Sequence, residues 1–335
     1  MKVDAGVGLD LHKIPATVRD LEAFGYDGIR AAEMNHDPFF PLLLAAEHTT
    51  KVELITSIAV AFARSPMILA NIGHDLNAYS KGRFTLGLGS QIKPHITKRF
   101  SMQWGSPAAQ MRELVLAMRA IWANWYEKTP LQFVSKHYTH TLMTPAFTPE
   151  NTEYGAPKVV LAAVGTQMTE VAGEVADGMI IHPFSNIPYI KAVTLPAIER
   201  GLAKAGKSRD QFEISYSCFV VTGRDEREFE ASKKAARERI AFYGSTPAYK
   251  GVLDAVGAGE LQGELNTMSK QGRWQEMGTL ISDDLLHAFG VMGEPKDIAP
   301  QMLSRYGDFV DRTSASFPVS DTQQRRQIID TLRAG

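Results

Sequence analysis

The sequence predicts a (β/α)8 TIM barrel with two insertions at its active-site mouth. Short apolar runs alternate with amphipathic segments along most of the chain, eight such runs are countable, and the rhythm lapses at length in only two places. The barrel is expected over residues 1–318, the insertions over about 126–157 and 244–293, and a polar tail over 319–335, as a helix or a loose end outside the barrel. A doubly wound open sheet would share these local patterns; the count of eight favours closure.

Val3 to Leu9 reads as the first strand. Pro15 then opens a helix whose apolar face is Val18, Leu21 and Phe24, ended by Gly25. Gly28 to Glu33 and Val52 to Val60 give strands two and three, with a short helix from Pro41 to Glu47 between them. Ser65-Pro66 supplies an N-cap and first helical residue for a helix showing Ile68, Leu69, Ile72, Leu76 and Tyr79 on one face. After a fourth strand, Phe84 to Leu88, the residues Met111, Leu114, Val115, Met118, Ile121, Trp122 and Trp125 recur at helical spacing. Lys158 to Ala163, Gly178 to Ile181 and Phe212 to Val221 are strands five to seven, with helices from Thr166, Pro188 and Asp225. Asp308 to Ser314 completes the eight.

Composition narrows the partners. Thirty-six Lys and Arg against 37 Asp and Glu leave a formal charge of -1, so no basic surplus points to a nucleic acid or an anionic membrane, and a small-molecule substrate is expected. Cys218 has no second cysteine for a disulfide or a thiolate metal site and reads as a small hydrophobe; the nine histidines form no His-Glu-x-x-His arrangement, so no metal is expected. The start of the chain lacks the apolar core of a signal peptide, and no run approaches about 18 apolar residues. A cytoplasmic homodimer or higher homo-oligomer is the expectation.

In such barrels chemistry gathers just after the strands. Leu161 to Met168 ends a strand with Gly165 and starts a helix, where free N–H groups and the Thr166 hydroxyl make a phosphate site; a simple tight turn with an N-cap is the alternative. Glu33-Met34-Asn35-His36-Asp37-Pro38 concentrates acid/base candidates in Glu33 and His36, whereas Asp37 reads as a turn residue. Ser90, Gln91, Lys93 and His95 follow the glycine-rich Leu86 to Gly89, where missing side chains admit a planar ligand, although the full dinucleotide fingerprint is absent. His95 joins the acid/base candidates, and Ser90, Gln91 and His182 the coenzyme-binding ones. His48 and His74, inside helical stretches, read as structural or surface residues rather than ligands.

Taken in order, Gly25-Tyr26-Asp27-Gly28, Glu33, Asp37-Pro38-Phe39, Arg64-Ser65-Pro66, Gly82-Arg83-Phe84 and Ala172 to Gly178 carry a resemblance over roughly Val3 to Pro318. The chain resembles the luciferase-like monooxygenase superfamily, more closely its coenzyme F420-dependent branch, which includes methylenetetrahydromethanopterin reductase. The resemblance implies an oxidoreductase that moves hydride with F420, FMN being the alternative coenzyme. It puts the coenzyme phosphate on Ala163, Val164, Gly165, Thr166, Gln167 and Met168, and a ring-backing bulge, with a non-proline cis peptide, on Ser57-Ile58. It also puts an acid at Glu33. The branch's sugar-phosphate dehydrogenases carry a His and a Glu where this chain has Met34 and Ile92, so oxidation of a sugar phosphate by their acid/base pair is not implied. A reductase is therefore expected, ahead of an FMN-dependent monooxygenase and a non-catalytic flavin-binding protein.

Overall fold

The computed structural model describes residues 1–8, 10–314, 317–319 and 321–335, so the predicted end of the first strand at Leu9 lies outside the described residues. Eight parallel strands form a ring: β1 (Lys2–Gly6), β2 (Gly28–Ala31), β3 (Glu53–Thr56), β4 (Phe84–Gly89), β5 (Lys158–Ala163), β6 (Gly178–Ile181), β7 (Glu213–Tyr216) and β8 (Arg312–Ser314). Each strand bonds to the next in chain order. The ring closes where Lys2 and Val3 of β1 lie opposite Arg312 and Thr313 of β8, which excludes the open sheet.

Parallel neighbours need crossover connections, and helices provide them. These are α1 (Ile14–Phe24), α2 (Phe39–His48), α3 (Pro66–Tyr79), α4 (Pro107–Glu127), α5 (Thr166–Val175), α6 (Leu195–Ala205), α7 (Glu226–Gly244) and α8 (Pro295–Tyr306), with α9 (Thr322–Ala334) following β8. Ser65 caps α3 by accepting from the Ile68 N–H, and Asp225 caps α7 by accepting from the Glu228 N–H. All seven apolar residues that predict α4 are buried.

Alternation along the strands sends Val3, Ile29, Leu54, Leu86, Val159 and Leu161 outward under the helices, all fully buried. Several inward residues of the N-terminal half are charged. Arg30 Nε donates to Asp4 Oδ2 at 2.6 Å and Arg312 Nη1 to Asp4 Oδ1 at 2.5 Å; Arg312 also meets Glu53 and Glu213, and Lys2 bonds Glu53 at 2.6 Å. Lys2, Arg30 and Arg312 thus balance Asp4, Glu53 and Glu213, which makes the burial of so much charge tolerable.

Three expectations need correction, and of the two alternatives for the tail the structure shows the helix. The run Val52–Val60 is not one strand: β3 stops at Thr56, Ser57-Ile58 is a cis peptide as expected, and Ala59–Val60 pairs separately with the end of β4. Phe212–Val221 likewise divides, because Phe219–Val221 leaves the ring to pair with Gly290–Met292. The predicted tail is a packed helix, α9, whose Ile328, Ile329 and Leu332 are buried against α8 and β1; it completes the eighth βα unit. On α3 the apolar stripe is wider than the barrel face, so Leu69 and Leu76 are buried while Ile68 and Tyr79 are half exposed.

The insertions also differ. Residues 244–293 follow α7, on the connection from β7, and stand at the mouth, sharing with α7 a small core that includes Ile240, Leu253, Leu265, Leu286 and Phe289. Residues 126–157 do not border the mouth. They join the far end of α4 to the start of β5, both on the opposite face, and their hairpin (Phe133–Val134 with Thr139–His140) climbs the flank of α4, where His137 bonds Glu113 at 2.9 Å. Tyr154 and Gly155 return past the end of α3, accepting from Asn77.

Candidate active site at the barrel mouth

The C-terminal ends of all eight strands open into one cavity of roughly 1470 Å³. Its floor is made of small residues, among them Gly6, Ala32, Gly89 and Ala162. Gly89 is required there: a Cβ on it would lie 2.8 Å from Ile58 Cδ1, so the Ser57-Ile58 bulge fits against β4 only because residue 89 has no side chain. These small residues leave room for a planar ring above the buried Arg30–Asp4 pair.

At one edge stands the start of α5. Gly165 has φ 77° and ψ 158°, a conformation open essentially to glycine alone, and a Cβ built there would meet nothing within 4 Å. The turn therefore presents the first N–H groups of α5, which have no partner within the helix, toward open space beside Thr166, Gln167 and Met168. Among the described residues that line the cavity there is no carboxylate, and two are arginines, Arg30 in the floor and Arg239 on α7.

His182, at the end of β6, also lines the cavity. The Phe184 N–H donates to its Nδ1 at 3.1 Å, so the proton of the neutral ring sits on Nε2. Burial pushes its pKa down to about 4, keeping it uncharged at neutral pH. Its ring stacks on Tyr249 at 5.0 Å and meets Tyr243 edge-on at 4.7 Å. Burial also raises the Tyr249 phenol to about 12 and the Cys218 thiol, beside the end of β7, to about 11, so both stay protonated.

Of the residues the sequence singles out, Ser57, Ile58, Ser90, Gln91, Ala163 to Met168 and His182 all line this one cavity. Glu33, His36 and His95 do not. The Glu33 carboxylate is buried and turned to Arg64: Oε2 accepts from Arg64 Nη1 and from the Val60 N–H, each at 2.7 Å, and Arg64 also reaches Asp37 at 2.8 Å. That ion cluster ties β2 to the segment after β3, and it replaces the proton-donor role expected of Glu33. His36 is exposed in an adjoining cleft of roughly 760 Å³. His95 is exposed on the turn His95–Arg99, because the chain leaves the barrel at Gln91, whose φ is 57°. Asp37 accepts from the Phe39 N–H at the start of α2, the turn role expected of it.

One wall was not anticipated. Ser232, Ala235, Ala236, Arg239, Phe242 and Tyr243 of α7 face the cavity, and Tyr249 follows them. Their spacing of three and four residues was legible, but not what the stripe faces.

A family model described as luciferase-like monooxygenase matches residues 2–312. An uncharacterized protein of Mycobacterium tuberculosis is 52% identical over 317 residues, covering 95% of this chain and 93% of that protein. A putative coenzyme F420-dependent oxidoreductase of the same organism is 25% identical, covering 84% of each chain. Among solved structures, the coenzyme F420-dependent tetrahydromethanopterin reductase of Methanopyrus kandleri superposes with a TM-score of 0.77 at 19% identity, covering 98% of this chain and 96% of that one.

Proposed function

The chain belongs to the luciferase-like monooxygenase family and is an oxidoreductase, and from that premise we propose that it transfers hydride between coenzyme F420 and a small organic substrate, as a reductase of a conjugated or imine-like acceptor. One observation carries the reading: a floor rich in glycine and alanine ends at a glycine-opened helix start, in a cavity with no carboxylate among the described lining residues. The residues fit the coenzyme. The floor and the Ser57-Ile58 bulge would hold its ring, and Ala163 to Met168 its phosphate, favoured by the dipole of α5. When bound and reduced, a deazaflavin supplies hydride but reacts poorly with oxygen. The 25% identical relative named for F420 supports that coenzyme over FMN.

The direction follows from the proton inventory. Oxidising an alcohol needs a base near its hydroxyl, yet no carboxylate lines the cavity among the described residues, the free nitrogen of His182 is already accepting, and Tyr249 and Cys218 are held protonated. Reduction needs only one proton, which water at the open mouth provides. The protein's share is to place the acceptor over the ring and offer the His182 Nε2–H as a hydrogen bond.

The same reading includes a cytoplasmic homodimer built on the outer faces of α2 and α3, where Phe40, Leu43 and Ile68 are 59%, 42% and 50% exposed. Titrating the purified protein separately with F420 and FMN, then offering reduced F420 with enones and imines, tests the central claim. Micromolar F420 affinity and acceptor-dependent oxidation of reduced F420 are expected. Tight FMN binding with rapid oxygen consumption and no F420 affinity would overturn it.

A further inference from the structure

The α7 wall is left unclaimed by the coenzyme, and its chemistry differs from that of the floor. We infer that Arg239, Phe242 and Tyr243, together with His182 and Tyr249, form the substrate subsite, and that it takes a planar conjugated carboxylate. The inference rests on the hydride-transfer reading for its place in catalysis, but not for its binding chemistry.

Three observations carry it. Arg239, Phe242 and Tyr243 are three and four residues apart, so a cation and two aromatic rings project from one face of α7 into the same cavity. Two neighbouring cations of α7 are already engaged, since Lys233 and Arg237 share the Asp283 carboxylate at 2.9 and 2.6 Å. Arg239 has no carboxylate partner among the described residues, and it faces a cavity whose described lining contains none. Arg239 is exposed at the rim of that cavity, and a guanidinium there beside aromatic rings can recruit a carboxylate from a ligand through two parallel N–H donors.

The rings set the shape of the rest of the ligand. His182 and Tyr249 stack at an interplanar angle of 27°, Tyr243 stands at 89° to His182, and Phe242 is 53% exposed at the mouth. Flat faces of this kind suit a conjugated plane and offer little to the hydroxyls of a sugar. A single free arginine matches a monoanion better than a phosphate dianion, and the neutral His182 Nε2–H adds a donor without adding charge.

The test is calorimetric and needs no turnover. Wild-type protein, with and without F420, is titrated with cinnamate and with cinnamamide, its uncharged near-isostere. Cinnamate is expected to bind about tenfold more tightly than cinnamamide. Arg239→Gln should remove that preference while leaving the F420 dissociation constant within about twofold, and Arg239→Lys should restore part of it. Phe242→Ala should weaken both probes alike. Equal binding of the two probes by the wild type, or cinnamate affinity unchanged in Arg239→Gln, overturns the inference. So does Arg239→Gln weakening F420 but not cinnamate, because the arginine would then serve the coenzyme. If the wild type binds neither F420 nor FMN yet shows the Arg239-dependent preference, the coenzyme reading fails and the subsite stands.

Discussion

Replacing Glu33 with glutamine separates a structural carboxylate from a catalytic one. The side chain is 6% exposed and its partner Arg64 14%, and the carboxylate accepts from Val60 N–H at 2.7 Å and from two nitrogens of Arg64 at 2.7 and 3.3 Å. Glutamine keeps the shape but has one acceptor oxygen, and it turns an NH2 donor toward either the guanidinium or the Val60 N–H. Removing one member of a buried ion pair costs about 3–5 kcal/mol. Arg64 retains Asp37 at 2.8 Å, so its charge is not stranded and the loss falls near 3 kcal/mol, the lower end of that range. An unfolding entropy near 2.1 cal/mol/K per residue gives roughly 700 cal/mol/K over 335 residues, so the melting temperature should fall by about 4 °C. Calorimetry measures that, and oxidation of reduced F420 at 25 °C measures turnover. Turnover should stay within about threefold of wild type, whereas loss of a general acid costs about 10²–10⁴. A hundredfold loss of kcat with an unchanged melting temperature would refute the placement of Glu33 outside the chemistry.

Gly165→Ala forces a side chain into a backbone conformation that costs about 1–3 kcal/mol, so the loop must shift; coenzyme affinity should fall about tenfold with a melting-temperature loss of about 2 °C, and unchanged affinity would move the phosphate elsewhere. His182 has a folded pKa of about 4 against an ordinary 6.5, so the unfolded chain binds its proton first as pH falls. Stability should therefore drop between pH 6.5 and 4, by on the order of 2 kcal/mol at pH 5, and His182→Gln should flatten that part of the melting-temperature profile. Phe40→Asp places a charge in the exposed apolar face of α2; on the proposed assembly, sedimentation should show a dimer for the wild type and a monomer for the variant, and identical profiles would remove that face from the assembly.

What was legible in the sequence is what local chemistry decides. Gly25, Ser65-Pro66 and Asp225 mark helix ends wherever they occur, and the strand-to-helix turn at Gly165 carries its N–H groups whatever surrounds it. The role of Glu33 depended instead on Arg64, 31 residues away, which no spacing rule couples to it. His95 looked catalytic because it follows the glycines of β4, but one positive φ at Gln91 carries it out of the site. The α7 stripe was present as a pattern, yet only the barrel's geometry tells which way a helix after β7 faces. The position of residues 126–157 was recoverable in principle: a connection leaving the end of a crossover helix must start on the face opposite the mouth.

The charge cluster inside the barrel also bears on how the protein is made. Asp4 and Arg312 are 308 residues apart, so a ribosome working at about 5–20 residues per second finishes β1 roughly fifteen seconds to a minute before its partner strand exists. Until then Asp4, Glu53 and Glu213 lack the one guanidinium that bonds all three carboxylates. The nascent chain also carries two open sheet edges, on β1 and β7, which only β8 covers. A released chain truncated just upstream of Arg312 should accordingly be retained by chaperones and cut by proteases, while the chain that includes β8 and α9 is not.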